Sequence, residues 1–267
     1  MQIFHSIPIL ALLKFTNATP HGLNFPRSIS SWPDIPTTII AGVTVPDTPL
    51  VRAAQSYARA HSDDMTYNHV MRSWLFGALI ISHNPPLART IDLETHAIAA
   101  LLHDLGLDIT GALISPEKRF EVDGAIAARR FLHTAIQNGT APHDDWDENR
   151  IQLVWDTIAL HTEPSIFSHK QPVVNFTATG IFADFRGPLS DLSGTLTWDE
   201  YYRVKNAFPR LNLGPSFRKW ICGFARSKPA TTYDTWMMQF GFRYVENYTE
   251  EAKGHLAIDI IDGTLPN

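Results

Sequence analysis

Leu101-Leu102-His103-Asp104-Leu105-Gly106 is the stretch of this sequence that says most about its fold and chemistry. A histidine followed at once by an aspartate is unusual on a helix whose remaining positions are apolar. Neighbouring positions lie about 100° apart around a helix axis, so both side chains reach one point only near a helix end. Gly106 places the pair near the end of the predicted helix, where that geometry is available. Taken alone, the pair fits either a metal site or a buried histidine hydrogen-bonded to a neighbour.

Two further polar residues stand alone in apolar surroundings. His69 lies inside a predicted helix that is otherwise apolar, and Asp184 lies inside the apolar run Gly180 to Phe185. A buried histidine needs a hydrogen-bond partner or a metal, and a buried, unpaired aspartate is costly. Three isolated polar sites in three apolar helices fit one shared ion better than three unrelated accidents.

The periodicity of apolar residues predicts an all-α protein, because they recur at helical spacing and the intervening loops are short. Strand-like alternation is nearly absent; Thr37 to Val45 is the only β-branched run and is compatible with a short strand or an extended arm. The predicted helices cover residues 47–61, 66–83, 92 to about 106, 120–137, 146–161, 172–184, 197–207, 215–227 and 231–240.

Composition excludes several classes of protein. The net charge is −5 and no basic cluster is present, which argues against binding to nucleic acid. No stretch reaches the roughly 20 apolar residues of a membrane helix. The single cysteine, Cys222, allows neither a disulfide nor a cysteine-based zinc site, so any metal must be held by His, Asp and Glu.

The first 46 residues are rich in Pro, Ser and Thr and predict a largely irregular arm. Ile7 to Leu13 could be the apolar part of a weak signal segment within residues 1–19. The basic residues expected before such a segment are missing and Pro8 interrupts it, which favours a cytoplasmic location. Secretion stays the alternative, because N-x-T sequons occur at Asn17, Asn138, Asn175 and Asn247.

The order His…His-Asp…Asp resembles the HD-domain metalloenzyme superfamily, and the flanking residues resemble its cyanamide hydratase-like branch. The resemblance covers roughly residues 35 to 230, and the stretch Arg119 to Gly124 is the part more specific to the branch. The matching segments are Tyr67 to Ser73, Ala100 to Gly106, Lys118 to Ala125, Ala159 to Thr162 and Gly180 to Phe185.

The resemblance implies a single HD-domain helical bundle over residues 47–240, with the arm 1–46 before it and a segment 241–267 packed on it. It also implies one divalent ion, Zn²⁺ first, with Fe²⁺ or Mn²⁺ as alternatives. The ion's ligands would be His69, His103, Asp104 and Asp184. The catalytic candidates are Glu121, Asp123 and His161.

These three candidates also have simpler interpretations. Glu121 and Asp123 lie in the first turn of a predicted helix, where the helix dipole favours acids in any case. His161 lies at the end of a predicted helix, where it could act as a C-terminal cap.

The implied reaction is a hydro-lyase or hydrolase reaction on a small molecule. An ion with an open position lowers the pKa of bound water to near 7, and the resulting hydroxide would attack cyanamide or another nitrile-like or small metabolite. Glu121, Asp123 or His161 would deliver the proton. The absence of a His-His doublet favours one ion over two.

Three alternatives stay open at this stage. One is an HD-type phosphohydrolase that acts on a nucleotide or another phosphoester. Another is a pathway enzyme that acts on a larger secondary metabolite, which a pocket wider than a few atoms would favour. The last is a binding module with a structural metal. A small molecule is the expected partner, and a homo-oligomer is compatible with the sequence.

Overall fold

The computed structural model describes residues 35–191 and 193–263. Its first element is a hairpin in which β1 (Thr37–Ile40) pairs antiparallel with β2 (Val43–Pro46). Both residues of the connecting turn have positive φ, 50° at Ala41 and 75° at Gly42, as a tight two-residue hairpin turn requires. Residues 35–46 of the predicted arm therefore contain paired strands. The rest of that arm, including the possible signal segment 1–19, lies outside the described residues.

The all-α fold class is confirmed, because the described residues fold into thirteen helices and this one small sheet. The helices are α1 (Pro49–His61), α2 (Asp64–Ser82), α3 (Pro85–Ala88), α4 (Leu93–Leu102), α5 (Phe120–Gln137), α6 (Glu148–Leu160), α7 (Pro164–Phe167), α8 (Pro172–Arg186), α9 (Trp198–Ala207), α10 (Leu213–Ser227), α11 (Met238–Tyr244), α12 (Tyr248–Ala252) and α13 (Ala257–Asp262). Short 3-10 turns lie at Leu105–Leu107, Gly187–Ser190 and Pro229–Thr231. Among the described helices, none combines the length and apolar character that a bilayer crossing requires.

Helix starts follow the side chains that cap them. Asp92 accepts hydrogen bonds from the first turn of α4, and Thr197 with Glu200 forms a complete capping box at α9. At α2 and α6 the caps are Asp63 and Asp147, which lie one to three residues from the predicted starts.

The predicted helix 231–240 begins later than expected, at Met238. Three threonine hydroxyls before it donate hydrogen bonds to main-chain carbonyl oxygens three residues back. Thr231 donates to Lys228, Thr232 to Pro229 and Thr235 to Thr232. Such local bonds offer the backbone an alternative to the helical pattern.

Helix α2 lies at the centre of the bundle and is buried on nearly all sides. It packs against α4 and α8, and α4 packs in turn against α6. Val43 and Val45 of the hairpin belong to the same core. Helix α11 spans residues 240 and 241, where the resemblance implies the boundary between the helical domain and the C-terminal segment.

Glycine allows α8 to approach α2 unusually closely. A Cβ atom on Gly180 would lie 2.6 Å from the backbone nitrogen of Gly77 and 2.7 Å from the carbonyl oxygen of Ser73. Both are main-chain atoms, which cannot turn aside. The same contact brings Asp184, one turn further along α8, beside His69 on α2.

We expect Gly180→Ala to lower the free energy of unfolding by roughly 1–3 kcal/mol, because the added methyl forces the two helices apart. Gly223→Ala is the matched control, since a Cβ at Gly223 in α10 meets nothing within 4 Å. That control should raise the free energy of unfolding by about 0.5–1 kcal/mol through helix propensity alone. Urea denaturation measures both; equal effects of the two substitutions would refute the close contact.

Candidate metal centre

Three potential ligands meet in the middle of the bundle. The Nε2 atoms of His69 and His103 lie 3.2 Å apart, and Oδ2 of Asp104 lies 3.6 Å and 3.4 Å from them. All three side chains are buried. Among the described residues, these three form the only group of His, Cys, Asp or Glu side chains whose ligand atoms all lie within 4.8 Å of one another.

The protonation of the two rings makes this group a cation site. Nδ1 of His103 donates to the carbonyl oxygen of Ala100 at 2.8 Å, and Nδ1 of His69 donates to Asp184 at 2.7 Å. In a neutral ring the proton therefore sits on Nδ1, and each Nε2 presents a lone pair. Neither carboxylate oxygen of Asp104 has a hydrogen-bond donor among the described residues.

Lone pairs and a carboxylate that face each other inside an apolar core repel unless a cation joins them. A proton on one Nε2 relieves a single contact at a time, whereas a metal ion accepts lone pairs from His69, His103 and Asp104 together. Burial lowers the pKa of His103, but Asp104, the carbonyl of Ala100 and Asp184 together outweigh burial and the net pKa is raised. Burial raises the pKa of Asp104, but His103 holds it well below its ordinary value. The residues present thus fit a divalent ion.

The end of α4 gives the His-Asp pair its shared target. The helix ends at Leu102, His103 is its C-terminal cap, and Asp104 leaves the helical conformation with φ −101° and ψ 18°. The change of backbone direction lets adjacent side chains face the same point, as the sequence predicts. Position 106 requires a glycine, because a Cβ atom there would lie 1.9 Å from the carbonyl oxygen of Phe120.

Asp184, the fourth ligand that the resemblance implies, contacts His69 and Arg72 in this structure. Its Oδ2 accepts from Nδ1 of His69 at 2.7 Å and from Arg72 at 2.6 Å, and its Oδ1 accepts from Arg72 at 2.7 Å. Nε of Arg210 lies 3.4 Å from the same Oδ1. Asp184 therefore contacts the edge of the His69 ring opposite Nε2, where it fixes the ring's orientation and tautomer.

His161 faces the cluster from the end of α6. Its Nε2 lies 3.9 Å from Oδ1 of Asp104, and its ring centroid lies 5.0 Å from that of His103. Its Nδ1 donates to the carbonyl oxygen of Ile158, three residues back, just as His103 bonds to Ala100. Burial is the main cause that lowers the pKa of His161 to about 4, so the ring is neutral and its Nε2 is an acceptor.

Glu121, a predicted proton donor, is held by several hydrogen bonds. Its two oxygens accept from Arg119 at 3.0 Å and 2.8 Å, from Thr162 at 2.7 Å and from Nε1 of Trp236 at 3.1 Å. Burial raises the pKa of Glu121, but Arg119 outweighs burial and the net pKa is lowered. The carboxylate is thus an ionised acceptor that anchors Trp236.

The carboxylate of Asp123 also forms its hydrogen bonds and its ion pair away from the cluster. It accepts from the backbone nitrogen and the hydroxyl of Ser115, at 3.0 Å and 2.7 Å, and pairs with the buried Lys228 at 3.1 Å. Lys228 also donates to the carbonyl oxygens of Ser115 and Lys118. Asp123 therefore ties the loop before α5 to the end of α10 and does not reach the cavity.

A cavity of about 590 Å³ opens beside the cluster. His69, Asp104 and His161 form its polar end, and the rest of its wall is mainly apolar. Part of the wall comes from the central bundle and part from α10 to α11. Its larger apolar side chains are Phe120, Ile181, Phe182, Phe185, Phe217, Ile221, Trp236 and Phe240.

A second cleft of similar volume lies near the hairpin and contains none of the metal-ligating residues. The chemistry therefore belongs to the cavity beside the cluster. Sequence reasoning missed the aromatic wall, because a Phe or Trp on an apolar helix face gives the same pattern whether it lines a cavity or fills a core.

We expect Asp184→Asn to weaken zinc binding by about 10–100-fold, because His69 loses the carboxylate that orients it. Asp104→Asn should abolish binding, because it removes a ligand. Asp123→Asn is the control: it too breaks a buried ion pair, with Lys228, and should leave zinc affinity unchanged. Zinc titration by calorimetry measures all three. Complete loss of zinc from Asp184→Asn would restore Asp184 as a ligand.

Comparison with known proteins adds one match. Residues 66–173 match the family model described as HD domain, and a search of curated proteins finds no match for the chain. The matched segment includes His69, His103, Asp104 and His161, whereas Asp184 and α10 to α11 lie beyond it. The cyanamide hydratase-like branch stays a prediction. The match and the buried cluster together support an HD domain within residues 66–173, with His69, His103 and Asp104 as its candidate metal ligands.

Proposed function

We propose that this chain is a metal-dependent hydrolase or hydratase that acts on an electrophilic carbon of an apolar organic molecule. The observation that carries the proposal is the cavity of about 590 Å³, which joins the metal cluster to an aromatic wall. Cavities of a few hundred Å³ hold drug-sized molecules. Cyanamide has only a few atoms and would leave most of this space unfilled.

The donor set indicates what the site would hold. His69, His103 and Asp104 supply two imidazoles and one carboxylate, which suits zinc, iron or manganese. When bound, such an ion polarises an electrophile and lowers the pKa of a coordinated water.

His161 is the group that moves the proton. Its Nδ1 keeps its hydrogen through the bond to Ile158, so Nε2 is free to accept a proton from the attacking water. The resulting imidazolium would face Oδ1 of Asp104, 3.9 Å away, which stabilises the positive charge. The same proton can then pass to the nitrogen or oxygen that becomes negative in the substrate. His161 thus combines the base and acid roles, and neither Glu121 nor Asp123 is needed.

The apolar wall binds and shields the substrate. Phe217 and Phe185 pack edge-on against each other and against His69, with ring centroids 5.1 to 5.3 Å apart. They therefore place a substrate's apolar body next to the ligands. Exclusion of bulk water strengthens the electrostatic interactions within the site.

Two narrower functions have specific support. A cyanamide hydratase is favoured by the resemblance at Arg119 to Gly124, although Glu121 and Asp123 within that stretch are paired away from the cavity. A phosphohydrolase is favoured by the HD-domain match. Of the lysines and arginines, however, only Arg218 lines the described cavity, and phosphoryl transfer depends on stronger charge compensation.

We expect the zinc-loaded protein to hydrate phenylcyanamide with a higher kcat/KM than cyanamide. The two share the reacting carbon, and burial of the phenyl ring contributes roughly 2 kcal/mol, or about 30-fold. Colorimetric detection of phenylurea and urea measures the two rates, and phosphate release from nitrophenyl phosphate provides the phosphohydrolase comparison. Asp104→Ala should be inactive throughout.

Ile221→Trp provides the matched control for the cavity. Ile221 lines the wall, and the larger ring should reduce the rate with phenylcyanamide while cyanamide still reaches the ligands. A preference for cyanamide over its phenyl derivative would contradict the proposal, as would turnover of the phosphoester alone.

We expect His161→Gln to lower kcat by about 10²–10⁴-fold, the usual contribution of a proton-transferring side chain, while zinc affinity changes by less than tenfold. Steady-state kinetics on the best substrate of the panel and zinc titration of the same preparation test this. A variant that fails to hold zinc would show that His161 is a ligand.

A further inference from the structure

One charged side chain in the cavity is not accounted for by the metal or by proton transfer. Arg218 lies on α10, lines the cavity and is exposed, whereas His69 and Asp104 at the polar end are buried. Arg218 therefore lies towards the mouth of the cavity. Among the described residues that line the cavity, Arg218 is the only lysine or arginine.

Arg218 differs from the neighbouring cations in having no carboxylate partner among the described residues. Lys228 is paired with Asp123, Arg119 with Glu121 and Glu163, and Arg72 with Asp184. Within the part of the chain that the structure describes, Arg218 forms no ion pair; its guanidinium carbon lies 5.0 Å from the centroid of the Tyr244 ring.

Contact with Tyr244 prepares Arg218 for a ligand. A guanidinium stacked on an aromatic ring keeps its N–H donors at the rim of the plane, where they form paired hydrogen bonds with a carboxylate, sulfonate or phosphate. The stacking also reduces the side-chain entropy that binding would otherwise cost.

The charge of the whole cavity favours an anion as well. Among the described residues of the wall, Asp104 is the acidic side chain and Arg218 the lysine or arginine, so their formal charges cancel. A divalent ion held by the cluster would make the lining positive by about two charges. An apolar cavity of that sign attracts a negatively charged molecule.

We propose that Arg218 determines substrate specificity by binding an anionic group, and that the substrate is an apolar, aromatic-bearing acid. This rests on the proposed function, since the acid's reactive carbon would lie at the metal cluster and its body against the phenylalanines. The shared chemistry is a planar or tetrahedral oxyanion attached to an apolar skeleton.

Two fluorescent probes that differ mainly in charge test the proposal on the zinc-loaded protein. Anilinonaphthalene sulfonate carries the oxyanion, and uncharged N-phenylnaphthylamine has a similar aromatic body. We expect Arg218→Gln to raise the Kd of the sulfonate by about tenfold and to change that of the neutral probe by less than twofold. Arg218→Lys, which keeps the charge, should recover part of the loss.

Arg243→Gln is the matched control. The guanidinium carbon of Arg243 lies 5.4 Å from the centroid of the same Tyr244 ring, but Arg243 does not line the cavity. It should change neither Kd. Ile221→Trp should weaken both probes, which locates them in the cavity.

The outcomes separate the two proposals. If the wild type binds both probes and Arg218→Gln leaves the sulfonate unaffected, the assignment of Arg218 is overturned while the apolar cavity stands. If the wild type binds neither probe, the cavity on which the proposed function depends is itself refuted.

Discussion

The convergence of ring nitrogens on the carboxylate of Asp104 is the constraint on which the rest of this structure depends. His69, His103 and His161 each donate the Nδ1 hydrogen to an acceptor on the far side of the ring. The lone pair of each Nε2 therefore faces the carboxylate of Asp104. An apolar core tolerates that arrangement only if a cation is supplied. Two of the acceptors are carbonyl oxygens at helix ends and the third is Asp184, so backbone and side chain share the task.

The helical bundle supplies these constraints through the way its helices end and touch. α4 and α6 each finish with a histidine that bonds to the carbonyl three residues back, which caps the helix and orients the ring at once. α8 reaches α2 only because Gly180 lies against the backbone of Gly77. Stability and ligand geometry therefore rest on the same contacts, and a methyl group at the α2–α8 contact should disturb both.

Local sequence patterns predict the parts of this structure that local forces determine. The bounds of α5 and the caps of α4 and α9 follow from apolar spacing and capping side chains, and the His-Asp pair follows from its position at a helix end. Long-range pairing is different, because Trp236 bonds to Glu121 and Lys228 to Asp123 across more than a hundred residues. Nothing in the sequence near Glu121 or Asp123 indicates those partners, so these pairings could not be predicted from local patterns. Asp184, which the resemblance implies as a metal ligand, lies across the bundle beside Nδ1 of His69, a contact that local patterns do not reveal.

The cavity joins two parts of the chain that are under different demands. Its polar end lies in the segment 66–173, whereas α10 and α11 contribute wall residues from outside that segment. On the proposed function, exchange of a few residues between 213 and 244 would alter which molecules the cavity accepts without replacing His69, His103 or Asp104. Proteins that share these metal-ligating residues therefore need not share a substrate.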